Sequence, residues 1–386
     1  MKVFAILIVV LALAGCASAP SQTPQGIEHD ALFAPPSQPV RAADVFAVSP
    51  EMKAFIASDI ARLVHVKGTR RGLFEALRDK AGLSLEYDSA VTRNAQDAFA
   101  ARKGNCLSLV IMTAAFAKEM GLPVRFQNVF TDEIWSRNGS FYLSIGHVNV
   151  VIGGTHVEPG YGHYDIDAMI VDFLPPADVR SLRSWVIDES TIVAMYMNNR
   201  AVEALMSGNV DDAYWWAREA VRQDPHFLGA ANTLGVVYRA HGNLVEAERA
   251  LDYVLAVEPD NTTALANLVT LLKQRGDVAK AQKTAERLAR IEPTPPFAYF
   301  ERGIAAMKAG DYRLARDMFT REVDRAAYYH EFRFWLALAY VGLGEMDQAR
   351  ANLAIALENG PTKGDRELYA AKLERLREEG PRVIRR

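Results

Sequence analysis

Three residues of this 386-residue chain are of types that together do nucleophilic acyl chemistry: Cys106, His147 and Asp172, in that order, 41 and then 25 residues apart. Cys106 follows Gly104 and Asn105 at the head of NCLSLVIMTAAFAKEM, residues 105–120, a run that is apolar on nearly every face and stops at Gly121 and Pro123. Such a run reads as a buried helix with the cysteine in its first turn. The unpaired amides and the positive end of the helix dipole at that point stabilise a thiolate. They also offer hydrogen bonds to the oxyanion that forms when a thiolate attacks an acyl carbonyl. A thiol nucleophile needs a base. His147 opens HVNVVIGG, whose alternation puts His147 and Asn149 on one face of a strand and Val148 and Val150 on the other. Asp172 is a lone carboxylate in the apolar run MIVDFL, as befits a group that holds a histidine in its working tautomer. Each residue also has a purely structural reading: a small buried cysteine, a strand histidine satisfied by a neighbour, an aspartate capping the turn before LPPAD.

Other chemistries fit less well. His147, His156, Glu158, His163, Asp165 and Asp167 crowd one stretch, but their spacing matches no compact zinc pattern, and glycine-rich polar turns of this kind read as hairpin loops. No glycine loop stands between a strand and a helix as a phosphate cradle requires, and no cofactor is called for. A formal net charge of −3 without a long basic run offers nothing to nucleic acid.

The elements that must position the three residues form an α+β pattern. SPEMKAFIASDIARLV and TRRGLFEALRDKA read as helices, the first capped by Ser49 with Pro50 at its first position. PVRFQNVF, HVNVVIGG and AMIVDFL read as strands and come later. With Gly104 two before the cysteine, a helix, then Gly121-Leu122-Pro123 and a strand, the segment resembles the transglutaminase-like domain of the papain-like thiol superfamily. The resemblance implies Cys106 as nucleophile, His147 as general base and Asp172 as orienter, with Asn149 in support. Many relatives carry Trp where this chain has Asn149 and Pro where it has Phe173. The domain is placed at 45–187.

From 188 to 363 the chain repeats. Gly208, Gly242, Gly276, Gly310 and Gly344 stand 34 residues apart. Ala213, Ala247, Ala281, Ala315 and Ala349 keep the same register, and so do Pro225, Pro259, Pro293 and Pro361. This period and the run TLGVVY at 233–238 resemble the tetratricopeptide repeat, an all-α solenoid, here with five repeats and a polar helix at 364–386 to cap the stack. By the same resemblance a groove would carry Asn198, Asn232, Arg239, Thr270 and Lys273 near the first domain and Phe297, Phe300, Ile304, Phe334 and Leu338 beyond. Such a groove would take an extended peptide or protein partner.

The start of the chain, MKVFAILIVVLALAGC, has a charged Lys2, an apolar run of twelve residues and small residues before Cys16. That is the layout of a secretory signal, and LAGC resembles the bacterial lipobox, which implies lipidation of Cys16 after removal of residues 1–15. Ala17 then favours the outer membrane, facing the periplasm. Residues 16–44, rich in Pro, Ser and Gln, read as a tether. With Cys16 acylated, Cys106 has no partner for a disulfide. Two classes of function follow: a thiol acyl transferase acting on peptide or protein amides, as peptidase, amidase or cross-linker, or a non-enzymatic envelope scaffold whose papain-like domain is a binding module. Location alone suggests peptidoglycan stem peptides as a further substrate.

Overall fold

A computed structural model describes residues 26–386 apart from 79–82, 84, 89–90, 139–140, 154–167, 174–182, 328, 361–362 and 384–386. Cys16, the signal run, His156, Glu158, His163, Asp165 and Asp167 therefore lie outside the described residues. Among the described residues no helix is long and apolar enough to cross a membrane.

The first helix, α1 (Pro50–Phe55), starts where Ser49 accepts the Met52 amide, with Pro50 at a position whose amide needs no partner. It runs through a π turn (Ile56–Ile60) into α2 (Ala61–Lys67), followed by α3 (Thr69–Arg78). Two short strands, β1 (Glu86–Tyr87) and β2 (Lys103–Gly104), pair in parallel on either side of α4 (Ala95–Ala101). Next comes α5 (Cys106–Glu119), buried along its whole length from Cys106 to Ala117. Four strands, β3 (Val124–Asn138), β4 (Phe141–Ile152), β5 (Met169–Val171) and β6 (Ser184–Ile187), form an antiparallel sheet in the order β5-β4-β3-β6. The expected helices are present, and the three expected strands correspond to β3, β4 and β5. β3 and β4 extend past the sequence expectation, while β1 and β2, two residues each, and β6, the short edge strand SWVI without alternation, were not foreseen. Val148, Val150 and Ile152 of β4 join Val110, Ile111 and Phe116 of α5 in the main core, which is why α5 needs no polar face.

Five antiparallel helix pairs follow: α6 (Glu189–Met206) with α7 (Val210–Gln223), α8 (Leu228–His241) with α9 (Leu244–Val257), and α10 (Thr262–Arg275) with α11 (Val278–Ile291). Then come α12 (Ala298–Lys308) with α13 (Tyr312–Arg325), α14 (His330–Leu343) with α15 (Met346–Asn359), and a last helix, α16 (Lys363–Val383). Gly242 and Gly276 end α8 and α10 in left-handed conformation at φ 94° and 87°, where any side chain would be strained. Gly235 serves closeness instead: a Cβ there would come within 3.0 Å of Leu251 on the paired helix. The apolar core is not continuous along the array. One cluster joins the α+β part to the first three pairs and ends at Ala281; the next begins at Phe297. Between them runs PTPP, with Phe297 itself at φ 63°.

The tether reading needs correction for its second half. From Gly26 to Ser37 the chain docks on the first two helix pairs. Phe33, 7% exposed, stacks on Tyr214 with centroids 3.9 Å apart and planes at 4°. The Tyr238 hydroxyl donates to the Ile27 carbonyl at 2.7 Å, and the Tyr214 hydroxyl donates to Asp30 at 2.6 Å while accepting from the His29 amide at 2.9 Å. Asp211 and Asp212 accept the amides of Ala34 and Ser37, and Arg218 and Arg222 pair with Asp30 and Glu28. A polar composition suggested a flexible linker, yet Ile27, Glu28, His29, Asp30, Phe33, Ala34 and Ser37 each find a partner. Phe33→Ala should remove about 3 kcal/mol or more of burial. Tryptic cutting after the exposed Arg41 should then rise about ten-fold or more in the folded protein, with a loss of only a few degrees in the melt.

Candidate functional site

Asn105 has extended backbone and caps α5: its Oδ1 accepts the Ser108 amide at 2.9 Å and the Ser108 hydroxyl at 2.8 Å. Ser108 thereby fills the space in front of Gly104, where a Cβ would lie 2.6 Å from the Ser108 Cβ. That close approach explains the glycine two before the cysteine. β2 delivers the chain to this point, held by the Asp88 amide on the Gly104 carbonyl at 3.0 Å. Asp88 is itself fixed by Arg93 at 3.1 Å and Lys103 at 3.5 Å. Cys106 is free and buried. Tyr87 lies near it: burial first, then nearness to Cys106, raises the Tyr87 pKa well above its ordinary value.

The sheet supplies the partners. In β4, His147 stands opposite Val129 and Asn149 opposite Gln127. Val150 pairs with Val171 of β5, so Asp172 leaves the strand end beside them. His147 Nε2 meets both carboxylate oxygens of Asp172, at 2.8 and 2.9 Å, and Asn149 Nδ2 donates to the same carboxylate at 3.3 Å. His147 and Asn149 are 2% and 3% exposed. With Nε2 engaged by the carboxylate, Nδ1 is the nitrogen left free to serve Cys106, which is near enough to influence the ring. Burial, the largest single influence, works against a charged ring. The hydrogen bonds to the Asp172 carboxylate, with the nearness of Cys106, outweigh it, and the imidazole pKa rises from 6.5 to about 9. An imidazolium held between a thiol and a carboxylate keeps a thiolate company and has a proton to give to a leaving group.

The three residues expected to do chemistry are thus brought together. Of the expected groove residues, Asn198 has a buried Oδ1 without a partner, Asn232 accepts from Asn267 at 3.0 Å, and Arg239 is half-buried, its pKa lowered by burial. Thr270 turns its hydroxyl back to the Ala266 carbonyl, and Lys273 is exposed. Phe297 and Phe300 are corrected: at 1% and 0% exposure they pack with Phe319 and Phe332 inside the array and present no groove surface. Phe334 is half-buried, lying 5.0 Å from the Tyr369 ring of α16, and Ile304 and Leu338 are half-buried. The single-sequence register placed core positions on the surface there. Among the described residues no cluster of three or more His, Cys, Asp or Glu is arranged to hold a metal. Thr92, which binds the cap residue Asn105 at 2.9 Å, escaped sequence reasoning because nothing in VTRN marks it.

The charge state of His147 has a pH signature. The unfolded imidazole titrates near 6.5 and the folded one at about 9. The resulting stabilisation is complete below about pH 6.5 and is lost as the pH rises through about 9. Wild-type stability from urea unfolding should drop by on the order of 2–4 kcal/mol between about pH 6 and about pH 9.5 through this group. Asp172→Asn should cut that drop to less than about half; equal drops in both proteins would mean that Asp172 does not hold the charge.

Residues 238–301 and 300–363 match two descriptions of the tetratricopeptide repeat. Among solved structures the chain is similar to a thermophilic tetratricopeptide-repeat protein of Thermus thermophilus, at 20% identity over 47% of this chain and 98% of that one, TM-score 0.29. It is also similar to a tetratricopeptide-repeat protein of Parabacteroides merdae, at 19% identity over 51% and 77% of the two chains, TM-score 0.25. A third is MamA, at 19% identity over 42% and 96%, TM-score 0.23. The glycine period, the paired helices and the matches over 238–363 lead to one conclusion: the C-terminal part of this chain is built of tetratricopeptide repeats.

Proposed function

We propose that this protein is a binding scaffold that captures a peptide or protein partner on its repeats, held at the outer membrane by a lipid on Cys16. The repeat matches over 238–363 carry the reading, because repeats of this kind make extended concave surfaces. The partner side of the proposal rests on Arg239, whose Nη1 reaches Gln274 at 3.5 Å, and on the exposed Lys273 next to Gln274 in the chain. These suit an acidic group. Arg239→Ala together with Lys273→Ala should weaken capture of partners from a periplasmic extract and make the remainder less salt-sensitive, with the melt nearly unchanged. Unaltered capture and salt dependence would remove this surface from the reading.

A second reading, favoured by one specific observation, adds thiol acyl transfer on peptide or protein amides by Cys106. That observation is the His147 ring bound to Asp172 near Cys106, with a pKa raised to about 9. Cys106 would attack the carbonyl, its sulfur bonding to carbon as the amide nitrogen leaves with the His147 proton. Water or an amine would then take the acyl group. Asn149 would steady Asp172. Iodoacetamide should alkylate Cys106 in the native protein well below pH 8.5, the range of an ordinary thiol. His147→Ala should slow that reaction by about ten-fold or more. Alkylation that waits for denaturant would make Cys106 a core residue and leave the scaffold alone.

A further inference from the structure

The first helix of the array reaches the thiol site through one residue. Thr92, 2% exposed, lies between β1 and α4 and engages its polar atoms on both sides. Toward α6, its amide donates to Glu203 Oε1 at 2.6 Å, its hydroxyl oxygen accepts Asn199 Nδ2 at 3.2 Å, and its carbonyl accepts Arg200 Nη1 at 3.5 Å. Arg200 in turn pairs with Glu203 at 2.9 Å. Toward α5, the same hydroxyl oxygen accepts Asn105 Nδ2 at 2.9 Å. The Asn105 amide is then used at both ends, its nitrogen on Thr92 and its oxygen on the Ser108 amide and hydroxyl. The Ser108 hydroxyl also accepts the amide of Arg93, the residue after Thr92. One unbroken network therefore runs from α6 to the cap beside Cys106.

We infer that Thr92 is a positioning residue for the Cys106 thiol, and that α6, through Asn199 and Glu203, is part of the support of that site. The inference rests on the reading of Cys106 as a working thiol. An amide cap turns easily about its last torsion. With Nδ2 anchored, Oδ1 is held on the Ser108 amide, and the first turn of α5, which carries Cys106, keeps its place. Without the Thr92 hydroxyl, the side-chain amides of Asn105 and Asn199 both lose an acceptor in a buried place, and the cap is free to turn.

The test uses the full chain and the rate of iodoacetamide alkylation of Cys106 as a function of pH. Thr92→Val keeps the shape and removes the acceptor; Thr92→Ser keeps the acceptor. Near pH 6.5 the Val variant should react roughly five-fold more slowly than wild type, the factor that a cap of ordinary strength represents, and the Ser variant within about two-fold of it. Above about pH 9.5, where a thiol is ionised in any case, all three should react alike. That convergence separates loss of thiolate stabilisation from a general loosening of the site. Glu203→Ala works from the array side and should slow the reaction in the same pH range, which keeps the inference testable if the Val variant fails to fold by circular dichroism. Wild-type profiles in the folded variants would overturn the role of Thr92 and leave the thiol reading standing. A wild type that reacts only in denaturant would overturn both.

Discussion

The N-terminus of α5 is the constraint on which the rest of this molecule turns. A helix buried from Cys106 to Ala117 can meet polar groups only at its ends, and its first amides have no partners within the helix. Those amides must be satisfied in place, since water does not reach them. Asn105 satisfies Ser108 and is held by Thr92; Tyr87 lies close to Cys106; Gly104 leaves room for the Ser108 side chain. The same demand that caps the helix gathers a thiol, a phenol and an amide network in a small volume. The polar cluster around Cys106 is in this sense a by-product of burying an apolar helix head first.

The sheet completes that site by register. β4 meets both β3 and β5, and the pairing of Val150 with Val171 is what sets Asp172 next to His147. Side chains alternate across a strand, so a slip of one residue would send His147 and Asn149 to the other face and bring Val148 and Val150 to the carboxylate. The burial of Val148, Val150 and Ile152 in the main core opposes such a slip. Packing on one face of β4 thus protects the polar geometry on the other.

The repeats are not a separate appendage. The main apolar cluster passes from the α+β part through the first three helix pairs, and the segment from Gly26 to Ser37 returns across α7 and α8 to join it through Ile27 and Phe33. Beyond Ala281 the array has its own cores, centred on Phe297, Phe300 and Phe319 and then on Leu353 and Leu373. The proline-rich stretch before Phe297 cannot continue a helix or donate its amides, and the two bodies of core meet there.

The sequence by itself determined whatever depends on local pattern. The 34-residue period marks five helix pairs because each pair repeats the same glycine at a left-handed helix end and the same small residue where helices approach. The apolar run after Asn105 marks a buried capped helix from neighbours close in the chain. Tertiary structure alone decided the rest. That Phe297 and Phe300 are core, that Gly26 to Ser37 is docked, and that Thr92 links Asn105 to Asn199 depends on partners from 13 to 211 residues away. Hydrogen bonds and ring contacts at such separation leave no periodic trace, because each is a single pairing whose two halves are each ordinary when read alone.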